Sequence, residues 1–168
     1  TFDQVQVSQN DLVGAIDAGW EVIDSTLRQA IALQCVETVG VMQQALSMTA
    51  EYTSTRYQFG QPIGKFQAVQ HRLADMLTDV EGARWTSYRA ISLLNKGRHA
   101  GREVAIAKAW TADACQRVAY AAQHLHGGVG VDLEYDLHFY FEWAKSRQLN
   151  LGPAWYHLPQ IEPAIRLD

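Results

Sequence analysis

The chain has 168 residues, 48% of them hydrophobic, and a formal net charge of −4. That length holds one domain, or one domain and a fragment of another, with apolar residues enough for a sizeable core. The mild acidity and the lack of a basic run argue against nucleic acid as the main partner, and no apolar stretch approaches the roughly 20 residues of a membrane span.

The sequence opens TFDQVQVSQNDLVG, without Met and without the basic-then-apolar pattern of a signal peptide, and reads as a cut from a longer chain. In residues 1–7, Phe2, Val5 and Val7 alternate with polar residues, which predicts a short strand. Such a strand cannot stand alone, so its sheet is expected elsewhere. Asn10, Asp11 and Gly14 mark a turn. From Ser25, which with Thr26 is a candidate cap, Leu27, Ile31, Cys35, Val39, Met42 and Leu46 recur at helical spacing to about Arg56. A second helix follows from Phe66 through Val69, Leu73, Met76, Val80, Ala83, Ser87, Ala90 and Leu94, ending at Asn95, Lys96 and Gly97. A third covers about 102–125, with Val104, Ala107, Thr111, Cys115, Val118, Ala122 and Leu125 inward, and stops at HGGVG. A fourth covers about 134–148, with Leu137, Phe141 and Ala144 inward. Short connectors between long amphipathic helices predict an all-α, up-down four-helix bundle. Pro153, Pro159 and Pro163 interrupt any long final helix. Cys35 and Cys115 lie in apolar helical runs and read as buried, reduced thiols of a cytoplasmic protein.

Three places invite chemistry. His124, His126 and His138 cluster in sequence, but no H-E-x-x-H or E-x-x-H pairing accompanies them, so no metal site is expected. GGVG at 127–130 follows a helix rather than a strand, which is the wrong context for a dinucleotide fingerprint. It reads as a helix stop, although glycines also admit close approach by another molecule. The connector RYQFGQPIGKFQAVQ at 56–70 is richer than a helix–helix turn requires. Its arginine offers a fork of donors suited to a phosphate, and its phenylalanine could cover a flat ring. The alternative is a capped turn with a surface arginine.

The stretches YTSTRYQFGQPIGKFQAVQHRLADM (52–76) and AAQHLHGGVGVDLEYDLHFYFEWAK (121–145) resemble the two signature regions of the acyl-CoA dehydrogenase family. The first has an arginine, two residues, Phe-Gly, Pro-Ile, Phe-Gln and Leu-Ala-Asp-Met. The second has a glutamine four residues before Gly-Gly-x-Gly, then Glu-Tyr and Ala-Lys. The resemblance implies that residues 1–20 are the end of a middle β-domain and its linker. It makes residues 21–168 the C-terminal four-helix bundle with a proline-containing tail. It also implies FAD, held between subunits, with Arg56, Phe59, Gln123, Gly127 and Gly128 reaching a neighbour's nucleotide and Gln67 as a further candidate. The implied partners are a second acyl-CoA dehydrogenase chain, in a homo- or hetero-oligomer such as a tetramer, an acyl-CoA substrate and an electron-transfer flavoprotein.

The family reaction takes the α-proton of an acyl-CoA with a glutamate and passes a hydride to the flavin. Aligned without gaps from Gly127, the usual glutamate falls on Leu151, its threonine on Pro153 and a following glutamine on Trp155. The alternative base position on the first helix falls on Ala30, followed by Ile31. Glu37 and Glu142 are the acids considered as substitutes, each about two helical turns or more from the nearer base position and so poorly placed. The resemblance thus leaves three readings. The chain is the base-lacking partner in a heteromeric dehydrogenase, as in the group that acts on steroid side-chain thioesters. Or it is a homomeric dehydrogenase with a relocated base, or a non-redox assembly subunit.

Overall fold

The computed structural model describes residues 1–161. Four helices dominate it: α1 (Gly19–Thr55), α2 (Gln67–Asn95), α3 (Gly101–His126) and α4 (Leu137–Leu149), followed by the short α5 (Ala154–His157). The helices form where the sequence carries an apolar stripe at helical spacing. On α2, Met76, Val80, Ala83, Ser87 and Ala90 are buried. α2 stops in a Schellman arrangement: Gly97, at φ 63, donates its N–H to Leu94 O and Arg98 donates to Leu93 O.

α3 is the central helix and packs against α1, α2, α4 and α5. Its buried positions are mostly alanine, including Ala105, Ala107, Ala112, Ala114 and Ala122, so neighbouring backbones come close. Gly82 on α2 works the same way, since a Cβ there would lie 2.6 Å from the Trp110 indole of α3. One core cluster joins Val39, Met42, Leu46, Met76, Val80, Val118 and Leu137; another joins Ala32, Cys35, Ala90, Ala100, Val104 and Ala107. The up-down order puts the α1–α2 and α3–α4 connectors at one pole, and the start of α1 with the segment after α4 toward the other.

The bundle matches the expected class, with local differences. Residues 1–7 form no strand here, because alternation creates a strand only where a second strand supplies hydrogen bonds. The one sheet among the described residues is instead a small hairpin in the 56–66 connector, β1 (Tyr57–Gln58) with β2 (Gln61–Pro62). α1 begins six residues before Ser25, so neither Ser25 nor Thr26 caps it; Thr26 sits inside the helix and donates its hydroxyl to Val22 O at 2.8 Å. α4 begins at Leu137 rather than near 134, because the Asp132 carboxylate accepts the Glu134 N–H at 3.0 Å and holds a turn there. Pro153 and Pro159 break the tail into α5 and a 3-10 turn, Leu158–Gln160; Pro163 lies outside the described residues.

Two features of the core bear on stability. Cys35 and Cys115 are free and buried, and burial pushes each thiol up to about 11. Lys108 is only 2% exposed, and its ammonium donates to Arg147 O at 2.7 Å in the last turn of α4. No helix among the described residues is long and apolar enough to cross a membrane.

Candidate functional site

The α1–α2 connector is built around a strained tip. Arg56 closes α1, donating its N–H to Tyr52 O at 2.8 Å, and its own carbonyl accepts the Ile63 N–H at 2.8 Å. Between these bonds Gln58 faces Gln61 across the hairpin, leaving Phe59 and Gly60 at the tip with φ of 53° and 82°. Positive φ at both positions is the type I′ signature, which glycine meets freely and a phenylalanine meets at a cost of roughly 1–2 kcal/mol. The Phe59 ring is 91% exposed and touches Phe66 edge-on at 6.1 Å. Behind it, a Cβ at Gly64 would lie 3.0 Å from the Thr53 carbonyl oxygen, and Gln70 donates to Gly64 O at 3.2 Å, so the hairpin is seated firmly on α1. Arg56 is exposed and forms no ion pair among the described residues. Gln67, the first residue of α2, is also exposed at this pole.

The glycines after α3 have three different reasons. Gly127, at φ 62 and ψ −136, turns the chain where other residues do so only under strain. Gly130 is required by packing, since a Cβ there would lie 2.7 Å from Gln123 O. Gly128 has neither constraint: its φ is ordinary and a Cβ would meet nothing within 4 Å. Its backbone is therefore open to close approach from outside this chain. The Gln123 amide donates inward to Gly130 O at 3.4 Å, and the next side chain, His124, is exposed.

Tyr52, which sequence reasoning missed, and His126, weighed there only as a metal ligand, join these segments. Tyr52, one turn before Arg56, stacks on His126 with ring centroids 4.4 Å apart, and its hydroxyl donates to His126 O at 3.3 Å. His126 immediately precedes Gly127 and is 3% exposed. All six expected cofactor residues thus lie at one pole of the bundle.

The other pole holds both positions where the family base was sought. A cavity of about 400 Å³ is lined by Leu27, Ile31, Val104, Leu151 and Tyr156, with Asp24 and Arg28 also on its wall. Ala30 is half-buried beside Ile31 on α1. Leu151 has φ 57, and its carbonyl accepts a hydrogen bond from His157 Nε2 at 2.9 Å. Glu37 is not in this cavity: it accepts the Trp143 indole N–H at 3.0 Å and pairs with Arg147 at 3.1 Å. Glu142 is exposed on α4. Asp24, which sequence reasoning overlooked, is the carboxylate on the wall, and it pairs with Arg28 at 2.5 Å. Arg28 in turn meets His99 Nδ1 at 3.1 Å. No group of three or more His, Cys, Asp or Glu among the described residues is placed to hold a metal.

Burial pulls the His126 and His157 imidazoles below 6.5, an effect only partly offset by their bonds to Ala122 O and Leu151 O. The unfolded chain therefore binds these protons first as pH falls. Stability is full above 6.5 and declines as pH drops through the lowered folded values. Thermal melts of the full-length protein are expected to fall progressively below pH 6.5, and His157→Gln should flatten that decline.

The acyl-CoA dehydrogenase C-terminal domain model matches residues 17–165. The chain belongs to the acyl-CoA dehydrogenase family. Among its relatives in this family, FadE27 of Mycobacterium tuberculosis, an acyl-CoA dehydrogenase, is 45% identical over 73% of this chain and 35% of FadE27. The ChsE4–ChsE5 complex of M. tuberculosis superposes with a TM-score of 0.85 at 38% identity, over 96% of this chain and 43% of that one. The FAD complex of PigA superposes with a TM-score of 0.90 at 25% identity, over 99% of this chain and 43% of that one. The acyl-CoA dehydrogenase bundle thus spans less than half the length of these relatives.

Proposed function

We propose that this bundle lends Arg56, Phe59, Gly127 and Gly128, with Gln67 and Gln123, to an FAD housed by a second acyl-CoA dehydrogenase chain, while its own base position is vacant. The full protein would take part in α,β-dehydrogenation of acyl-CoA thioesters as the base-lacking member of a heteromeric pair. Residues 1–20 would close the middle β-domain. One observation carries the reading. At a single pole stand an exposed arginine without an ion pair among the described residues, an exposed aromatic on a strained turn and a glycine backbone open to approach. The bundle's own packing accounts for none of the three.

FAD supplies the hydride acceptor. This chain's residues would bind and orient it: the Arg56 fork suits the pyrophosphate, Phe59 would cover a flat face of the nucleotide, and Gly128 would admit the ligand to its backbone. At the other pole Leu151 and Ala30 have no proton-accepting group. Likeness to one chain of the ChsE4–ChsE5 complex supports a heteromer, and likeness to the Tcur3481–Tcur3483 steroid ACAD, with a TM-score of 0.79 at 38% identity, supports a steroid-type acyl group. By the same family likeness the electron acceptor is an electron-transfer flavoprotein.

The test is to purify the full-length chain alone and with candidate partner chains, then measure flavin per chain and acyl-CoA oxidation. Flavin and turnover only with a partner, near one flavin per two chains, support the proposal. Full flavin and turnover alone would establish a homomer, and no flavin in any combination would leave an assembly role.

Asp24 favours a second reading, because its carboxylate lies on the wall of the cavity that holds Leu151. The Arg28 ion pair disfavours proton abstraction by keeping the carboxylate occupied. Asp24→Asn is expected to leave turnover of the complex within about twofold. A loss on the order of 100-fold or more, the scale of a missing general base, would instead identify a relocated base.

A further inference from the structure

We propose that His126 is a positioning residue that couples the Arg56 hairpin to the 127–130 loop, holding the two in register for one nucleotide. The inference rests on the proposed FAD contact and adds a residue that is itself buried beneath that surface.

Three segments meet on this imidazole. Its Nδ1 lies 2.7 Å from Ala122 O, a pure acceptor, so Nδ1 carries the proton. Nε2 is then left as an acceptor, facing the Tyr135 hydroxyl at 3.3 Å in the loop that leads to α4. Tyr52 of α1 stacks on one face of the ring and bonds the His126 carbonyl. On the loop side, a Cβ at Gly130 would lie 3.0 Å from His126 Cβ, so the loop closes directly over the residue. Tyr52 also accepts the Arg56 N–H through its carbonyl. The path from the guanidinium's residue to the open glycine backbone therefore runs Arg56, Tyr52, His126, Gly127, Gly128, each step a bond or a ring contact.

This junction needs a neutral ring. A second proton would occupy Nε2 and end its acceptance from Tyr135. The ionisable groups around the ring are Tyr52 and Tyr135, with Glu51 and Asp136 lining the same surface cleft as those tyrosines and His138 on the Tyr135 carbonyl. None forms an ion pair with His126 among the described residues. A charged imidazole there would lack a counter-ion, and the hairpin and loop would lose their common anchor.

The test uses the full-length chain in its flavin-binding assembly, titrating FAD into the apo complex by flavin fluorescence. His126→Phe keeps the stack but deletes both ring bonds; Tyr52→Phe deletes the hydroxyl bond from the other side. Each is expected to weaken FAD fivefold or more, with the double variant no worse than the weaker single. Wild-type affinity should fall as pH drops below 6.5, and in His126→Phe that pH dependence should vanish. If Arg56→Ala weakens FAD while His126→Phe and Tyr52→Phe leave it within twofold, the coupling is overturned and the nucleotide contact stands. If Arg56→Ala changes nothing, the underlying contact itself fails. Should His126→Phe not fold, Tyr52→Phe and the wild-type pH series decide the matter.

Discussion

Arg56→Ala is expected to strip flavin from the assembled enzyme, weakening FAD by tenfold or more while barely moving the melting temperature. A charge-assisted hydrogen bond contributes about 1.5–3 kcal/mol, and each 1.4 kcal/mol is a factor of ten in affinity. Stability should hold because the bonds that fix this residue are made by its backbone, to Tyr52 and Ile63, and its side chain has no ion-pair partner among the described residues. Arg56→Lys should fall between, since an ammonium keeps the charge but loses the planar fork. Flavin absorbance per chain after gel filtration reads the result. Retention equal to wild type in Arg56→Ala would end the proposed contact.

The second large effect concerns stability at the other pole. Lys108→Ala is expected to cost about 2–5 kcal/mol, the range for emptying a long buried side chain. The Arg147 carbonyl belongs to the last turn of α4, where no further helical N–H can reach it, and the ammonium is its donor. Lys108→Met should cost much less, because it fills the same space and removes a charge that burial disfavours, though it leaves that carbonyl without a donor. Burial holds the Lys108 ammonium below its usual 10.5. Over that interval the unfolded chain binds more protons, so wild-type stability should rise as pH approaches 10.5, and Lys108→Met should lack that rise. Urea midpoints of the full-length protein across pH test both statements. Equal losses in the two variants would show that the hydrogen bond, rather than the packing, matters most.

The bundle was legible because its buried residues recur at helical spacing: every inward position read for the third helix is buried except Leu125, which is half-buried. The start of α1 was not, because Trp20, Val22 and Ile23 stay exposed and add no stripe. The strand read at residues 1–7 is not formed here for the opposite reason, a clear alternation whose expected sheet is not among the described residues. The pole carrying Arg56, Phe59 and Gly127 could be found by local grammar and family resemblance. The groups that organise it could not. Tyr52 and His126 are 74 residues apart, and Lys108 meets Arg147 across 39. A lysine on a helix reads as solvent-facing until the fold shows which side is inside. Asp24 was passed over although it lies six residues from Ala30, one fewer than Glu37, and the fold is what shows its carboxylate on the cavity wall.

Phe59 has a practical consequence for anyone handling the protein. Its left-handed backbone is unfavourable, and its ring stays in water apart from the edge contact with Phe66. A surface from outside this chain that covered the ring would offset that exposure. Yield and shelf life of the soluble material should therefore respond more to what is co-produced with this polypeptide than to improving its interior. Under the proposed contact, Phe59→Asn would make a better-behaved single chain and a weaker partner.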